Sequence, residues 1–167
     1  MRLVCKEKLG HGSDGAVWEV WETNVSSAVK ALYREEAYRL ELECYRRLRA
    51  DNARFVGGFA IPFLEGWDDD LKVIQMTVVQ PPYLLDFGKV YLDSPPSYLY
   101  DAQLMANAYA EWRERFGSQW ADVACVIEIL KKKYGIYYYD PRPSNIDTGV
   151  RDDDDDDDHL YPPEYYE

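Results

Sequence analysis

Near its C-terminal end the chain carries Asp140, Arg142 and Asn145 within the stretch Gly135-Ile-Tyr-Tyr-Tyr-Asp140-Pro-Arg142-Pro-Ser-Asn145-Ile146. A carboxylate that can take a proton, a guanidinium that can neutralise an anion and an amide oxygen that can meet a metal ion follow at fixed offsets. The three could converge on one phosphate-sized volume. Asp, Pro, Ser and Asn also make ordinary turns, so the stretch alone only suggests this chemistry. More than a hundred residues earlier, Gly10-His-Gly12-Ser-Asp-Gly15 offers backbone N–H groups that can close over phosphates, glycine permitting near approach. The same spacing also fits a plain hairpin turn.

Each of these groups needs an element to hold it. Leu3 to Leu9 and Ala16 to Glu22 read as strands on either side of the glycine turn, rich in Val and Trp. Ser27 to Tyr33 reads as a third strand, with Ala28, Lys30 and Leu32 on one face because side chains alternate with period two. A lysine among apolar neighbours on an inner face costs desolvation unless it is paired. Arg34 to Arg49 predicts a helix whose stripe is Ala37, Tyr38, Glu41, Cys44, Tyr45 and Leu48. Glu41 is the only charge in that stripe and is therefore the candidate partner of Lys30; two separately solvated side chains is the other reading.

Phe59 to Gly66, with Pro62 inside it, and Leu71 to Val79 read as further strands, the second the most apolar and expected at the centre of the sheet. Trp67-Asp-Asp-Asp70 reads as the turn between them. Gln80-Pro81-Pro82 stops the run and reads as a hinge, beyond which the chain is expected to be largely helical. One helix spans Asp101 to Phe116, with Leu104, Met105, Ala108, Tyr109 and Trp112 on one side. The next spans Gln119 to Lys133, with Trp120, Val123, Ala124, Ile127 and Leu130. Lys131 to Lys133 suit the negative end of its dipole, and Gly135 is a natural stop.

Composition narrows the classes. The 167 residues are 47% apolar, enough for a real core, and include fifteen Tyr and five Trp. The formal net charge is −12, but the run Asp152 to Asp158 supplies seven of those charges, and the rest of the chain is only mildly acidic. That disfavours nucleic-acid binding, which needs positive charge to displace counterions. Cys5, Cys44 and Cys125 are far apart, odd in number and without metal-ligand spacing, so they read as buried free thiols in a reducing compartment. Met1 to Gly10 lacks a signal peptide's apolar run, and no stretch approaches about 18 apolar residues. A cytoplasmic address without membrane contact is expected.

In order, these parts resemble the protein-kinase-like superfamily over roughly residues 1 to 146. Gly10-x-Gly12-x-x-Gly15-x-Val17 matches its glycine loop and Ala28-Val29-Lys30 its phosphate lysine. Glu41 stands where the helix glutamate pairs with that lysine. Tyr138-Tyr139-Asp140-Pro-Arg142-Pro-Ser-Asn145 stands in for the catalytic loop, usually His-Arg-Asp-Leu-Lys-Pro-x-Asn. The resemblance implies that Val17 and Ala28 sandwich an adenine whose edge meets the backbone of Thr77 to Gln80. It implies that Lys30, oriented by Glu41, holds the α- and β-phosphates, and that Asp140 accepts the proton of the attacking hydroxyl. Arg142 would stabilise the transferring phosphoryl, and Asn145 would give an oxygen to magnesium. More narrowly, the compact spacing is similar to very small bacterial kinase-like proteins.

The chain also departs from that pattern. Tyr138 and Tyr139 replace His and Arg, so aromatic packing would have to support the loop, and the arginine that reads a phosphorylated activation loop is missing. Twenty-two residues follow Asn145, too few for an activation segment and the helices that grip a protein substrate. The magnesium-binding Asp-Phe-Gly is missing downstream of Asn145. Asp86-Phe87-Gly88 occurs before the loop and, by linear order, reads as a structural turn. Asp158, at the end of the acidic run, is the candidate second metal ligand, although consecutive like charges favour a solvated tail. His159 reads as part of that tail, and Tyr161 to Glu167 as a segment that docks back on the body or meets a partner.

The expected fold is α+β: a two-lobed kinase-like arrangement with an N-terminal antiparallel sheet, one helix and a reduced helical C-terminal lobe. Residues 1–80 form the nucleotide-binding lobe, 81–150 the helical lobe with the catalytic-type loop, and 151–167 an acidic, Tyr-rich tail. The expected activity is transfer of the γ-phosphate of ATP, with magnesium, to an unidentified acceptor. The alternative is a pseudokinase serving as a nucleotide-binding or protein-interaction module.

Overall fold

The computed structural model of the chain describes residues 4–22, 25–87, 89–139 and 141–150. Strands β1 (Val4–His11), β2 (Gly15–Glu22) and β3 (Val25–Leu32) form a continuous antiparallel meander. After helix α1 (Glu35–Ala50) come two short strands, β4 (Phe55–Val56) and β5 (Phe59–Ala60), then β6 (Leu64–Asp68) and β7 (Val73–Thr77). The main sheet has the order β1-β2-β3-β7-β6 and is antiparallel throughout, so the chain is α+β. Its centre is β3; the apolar β7 lies between β3 and β6, one place off the centre expected for it. The single strand expected over Phe59 to Gly66 is broken around Pro62 into β5 and β6. Proline has no amide hydrogen for a ladder bond.

The second half is less purely helical than its sequence suggests. Strands β8 (Tyr83–Leu84) and β9 (Val90–Leu92) precede α2 (Ala102–Phe116) and α3 (Trp120–Tyr134), and β10 (Ile136–Tyr138) and β11 (Ile146–Asp147) follow them. Strand β9 pairs with β10, and β11-β8-β5-β4 make a small sheet that joins the two halves. These strands are two or three residues long, below the length at which alternation is legible. Asp101 caps α2, its carboxylate accepting from the amides of Gln103 and Leu104 at 2.8 and 3.1 Å. Gly135 ends α3 at φ +64, the left-handed conformation that glycine adopts without strain.

The core lies between α1, the inner face of the sheet, and α3. Tyr38, Leu42, Cys44, Tyr45 and Leu48 of α1 meet Leu32, Leu64, Ile74 and Met76 of the sheet, then Val126, Leu130 and Ile136. The α1 stripe is buried as its periodicity implies, Glu41 included. Two apolar expectations are corrected. Only Trp112 and Phe116 of α2 are buried, while Leu104 and Tyr109 face solvent, because periodicity marks an apolar face but not what covers it. Of the cysteines Cys44 alone is buried; Cys5 and Cys125 are exposed. No helix among the described residues is long and apolar enough to cross a membrane.

Gly15 is the tightest point of the sheet. It pairs with Leu32, and a Cβ there would lie 2.4 Å from the Ala31 carbonyl oxygen. Gly15→Ala should therefore part β2 from β3 beside the glycine turn and lower stability by about 1–3 kcal/mol. A urea midpoint equal to that of the native chain would show that the hairpin yields freely.

Candidate functional site

A cleft of about 650 Å³ separates the glycine hairpin and main sheet from the loops of the second half. Gly10, Gly12, Gly15 and Val17 line it from the hairpin, and Ala28 and Lys30 from β3. Thr77, Val78 and Val79 line its back, and Arg142, Ser144 and Asn145 its opposite wall. The sequence-predicted residues from both ends of the chain thus border one volume. Asp140 and Asp158 lie outside the described residues. The glycine turn is closed by its own backbone, Gly12 N–H donating to the Gly15 carbonyl at 2.9 Å. Asp14 in the turn is tied by an ion pair to Arg34, just before α1.

Lys30 is the hub of the cleft. Its Nζ lies 2.7 Å from Glu41 Oε1 and 3.0 Å from Asp86 Oδ1. The first contact is the pair that the strand and helix periods bring together. The second corrects the reading of Asp86-Phe87-Gly88 as a structural turn only: Asp86 stands on the cleft wall, and Phe87 beside it is fully buried. Gly88 lies outside the described residues.

Strand pairing explains how Asp86 reaches this place. β8 runs antiparallel to β11, with Leu84 opposite Ile146, and Leu85 N–H donates to the Asn145 carbonyl at 2.9 Å. Asp86 and Asn145, 59 positions apart by their numbers, therefore sit on neighbouring backbone. Helix α1 braces the same segment: Tyr45 Oη donates to the Leu85 carbonyl at 2.8 Å. The Phe87 ring meets Tyr45 edge-on at 5.2 Å and Tyr138 at 6.3 Å. Such ring pairs add about 0.5–1.5 kcal/mol beyond burial. Tyr138 is buried, its ring edge-on to Phe87. The signal that could have found this site was the tripeptide itself; linear order concealed it.

The electrostatics follow from two carboxylates sharing one ammonium. Burial by itself would lower the Lys30 pKa, but the charges and hydrogen bonds of Glu41 and Asp86 outweigh it and raise it. For Glu41, burial is the largest influence and lifts the carboxyl to about 7 against the pull of Lys30, with Asp86 adding repulsion. Glu41 Oε2 is buried and has no hydrogen-bond partner among the described residues. Glu41 is the more buried of the two carboxylates, so its charged form bears the larger desolvation cost.

The cleft is lined by the Asp86 carboxylate and the Asn145 side chain, and by Asp14, which is paired with Arg34, with no cluster of three or more His, Cys, Asp or Glu among the described residues. That sparse set fits magnesium, which keeps several waters and needs one or two carboxylates beside phosphate oxygens. No family model and no curated protein matches the chain.

Proposed function

We propose that the protein is a reduced kinase-like phosphotransferase, using ATP and magnesium on an acceptor not yet identified. One observation carries the proposal: Lys30 is held by Glu41 and Asp86 in a cleft bounded by a glycine hairpin on one side and Arg142 and Asn145 on the other. In this reading Val17 and Ala28 flank the adenine, and the backbone at Thr77 to Val79 meets its edge. Lys30 neutralises the α- and β-phosphates, and Glu41 keeps its ammonium aimed. Asp86 and Asn145 would hold magnesium, which would screen charge on the transferring phosphoryl. The acceptor hydroxyl attacks the γ-phosphorus as Asp140 takes its proton; Arg142 stabilises the phosphoryl oxygens and ADP leaves.

The connectivity supports the same reading in a rewired form. The family order runs from the asparagine through a pair of strands to Asp-Phe-Gly. Here the strand after Asn145, β11, is paired with the strand before Asp86, β8. Gly149 lies beside Pro82, where an added Cβ would come within 3.5 Å of the proline nitrogen. A single turn from β11 to β8 would give the family's order without moving either strand.

The test is transfer from γ-labelled ATP by the full chain with magnesium, read as labelled protein or product. Asp140→Asn is expected to reduce it by about 10²–10⁴-fold, the usual worth of a general base. No turnover in the native chain would overturn catalysis. A second reading is the pseudokinase, in which the pairs of Lys30 with Glu41 and Asp86 serve as a structural tie between β3, α1 and the cleft wall. Labelled transfer separates the readings, and thermal shift tells whether a pseudokinase binds nucleotide. An ATP-binding module is stabilised by about 2.7 kcal/mol at a hundredfold excess over Kd. No shift at millimolar ATP would remove the nucleotide from both.

A further inference from the structure

We propose that Arg47 is a positioning residue whose guanidinium ties together the three segments that carry the site, holding Glu41 against Lys30. The tie is read from geometry; only its consequence for nucleotide rests on the phosphotransferase reading. Arg47 lies six positions after Glu41 on α1, about 9 Å along the axis. Its Nη1 and Nη2 donate to the two carboxylate oxygens of Asp93, both at 2.8 Å. Nη1 also donates to the Tyr134 carbonyl at 3.0 Å, and Nε to Glu43 at 3.1 Å. The Tyr134 oxygen is among the carbonyls that the end of α3 leaves without a helical partner.

Each partner leads to the cleft. Asp93 follows β9, the strand after Asp86 and Phe87, and its amide donates to the Gly135 carbonyl at 2.8 Å. Tyr134 and Gly135 form the junction from which β10 enters the loop of Arg142 and Asn145. The junction has room for the guanidinium because residue 135 is glycine. A Cβ there would lie 2.8 Å from Asp93 Oδ1 and 3.0 Å from Arg47 Nη1. Asp93 takes φ +65 to present both oxygens. A planar fork is required: lysine, a point charge on a flexible stem, cannot hold both carboxylate oxygens and the carbonyl together. Hydrogen bonds from Arg47 hold the Asp93 carboxyl below its ordinary range, as such a fork should. This clamp gives α1 a fixed place without a phosphorylated loop.

The test uses the full chain and two readouts. Cys44, on α1 and fully buried, reports helix opening through its alkylation rate, followed by peptide-resolved mass spectrometry so that exposed Cys5 and Cys125 do not interfere. Magnesium–ATP affinity by calorimetry reports the site. Arg47→Ala is expected to speed Cys44 alkylation about tenfold and weaken ATP about tenfold, the scale of a lost bidentate pair. Arg47→Lys should fall between, and keeps the test open if the alanine variant does not fold. In a Lys30→Ala background, Arg47→Ala should weaken ATP no further, because its effect passes through Lys30. Unchanged Cys44 alkylation overturns the clamp. Faster alkylation with unchanged ATP affinity, or an equal loss in the Lys30→Ala background, overturns the positioning role. If the native chain binds no ATP, the phosphotransferase reading fails, and Cys44 alkylation still decides the clamp.

Discussion

Asp86→Asn should lower magnesium-dependent phosphoryl transfer by about 10²–10³-fold, the usual cost of losing one electrostatic contact to a transition state. Asp158→Asn should leave it unchanged. The two substitutions divide the candidate metal ligands cleanly. Asp158 stands downstream of Asn145 in the chain, whereas the Asp86 carboxylate lines the cleft with Asn145 and contacts Lys30 at 3.0 Å. Asparagine keeps the size of the side chain and an oxygen for Lys30 but removes the charge that a hard cation selects. Binding gives a second measurement. Magnesium should add to the thermal stabilisation of the native chain by ATP and add little in Asp86→Asn. Full activity in Asp86→Asn with loss in Asp158→Asn would reverse the assignment and return the role to the acidic run.

The residues that were legible have periodic signatures. Lys30 and Glu41 could be paired on paper because period two places one on the inner face of β3 and period 3.6 places the other on the buried stripe of α1. The Asp101 cap and the Gly135 stop are likewise local chemistry, settled within a turn of the chain. Asp86 is different in kind. Its position depends on β8 pairing with β11, two strands of two residues each, and nothing local announces such a pairing. Chain order then stood in for spatial order and pointed away from it. Arg47 escaped for a related reason. Its partner Asp93 is 72% exposed and belongs to a turn, where a single charge reads as solvated. Leu104 and Tyr109 show the converse: a correct apolar stripe whose covering surface the sequence cannot name.

Glu41 should make stability fall as pH rises toward neutrality. Its folded pKa, lifted to about 7 chiefly by burial, exceeds the ordinary glutamate value of 4.5. The native state therefore binds its proton more tightly than the unfolded chain does. The contribution is fully present below the unfolded value, is lost between roughly pH 4.5 and 7, and stays lost above. The difference amounts to roughly 3 kcal/mol. Glu41→Gln cannot titrate, so its urea midpoint should lack this component and gain on the native chain as pH rises from 5 to 7.5. Glu41→Ala is expected to cost about 3–5 kcal/mol at neutral pH, since it opens a cavity and leaves half-buried Lys30 with Asp86 alone. Parallel pH profiles for the native chain and Glu41→Gln would show that the carboxylate stays charged throughout. The ion triad would then be held by Lys30 outright.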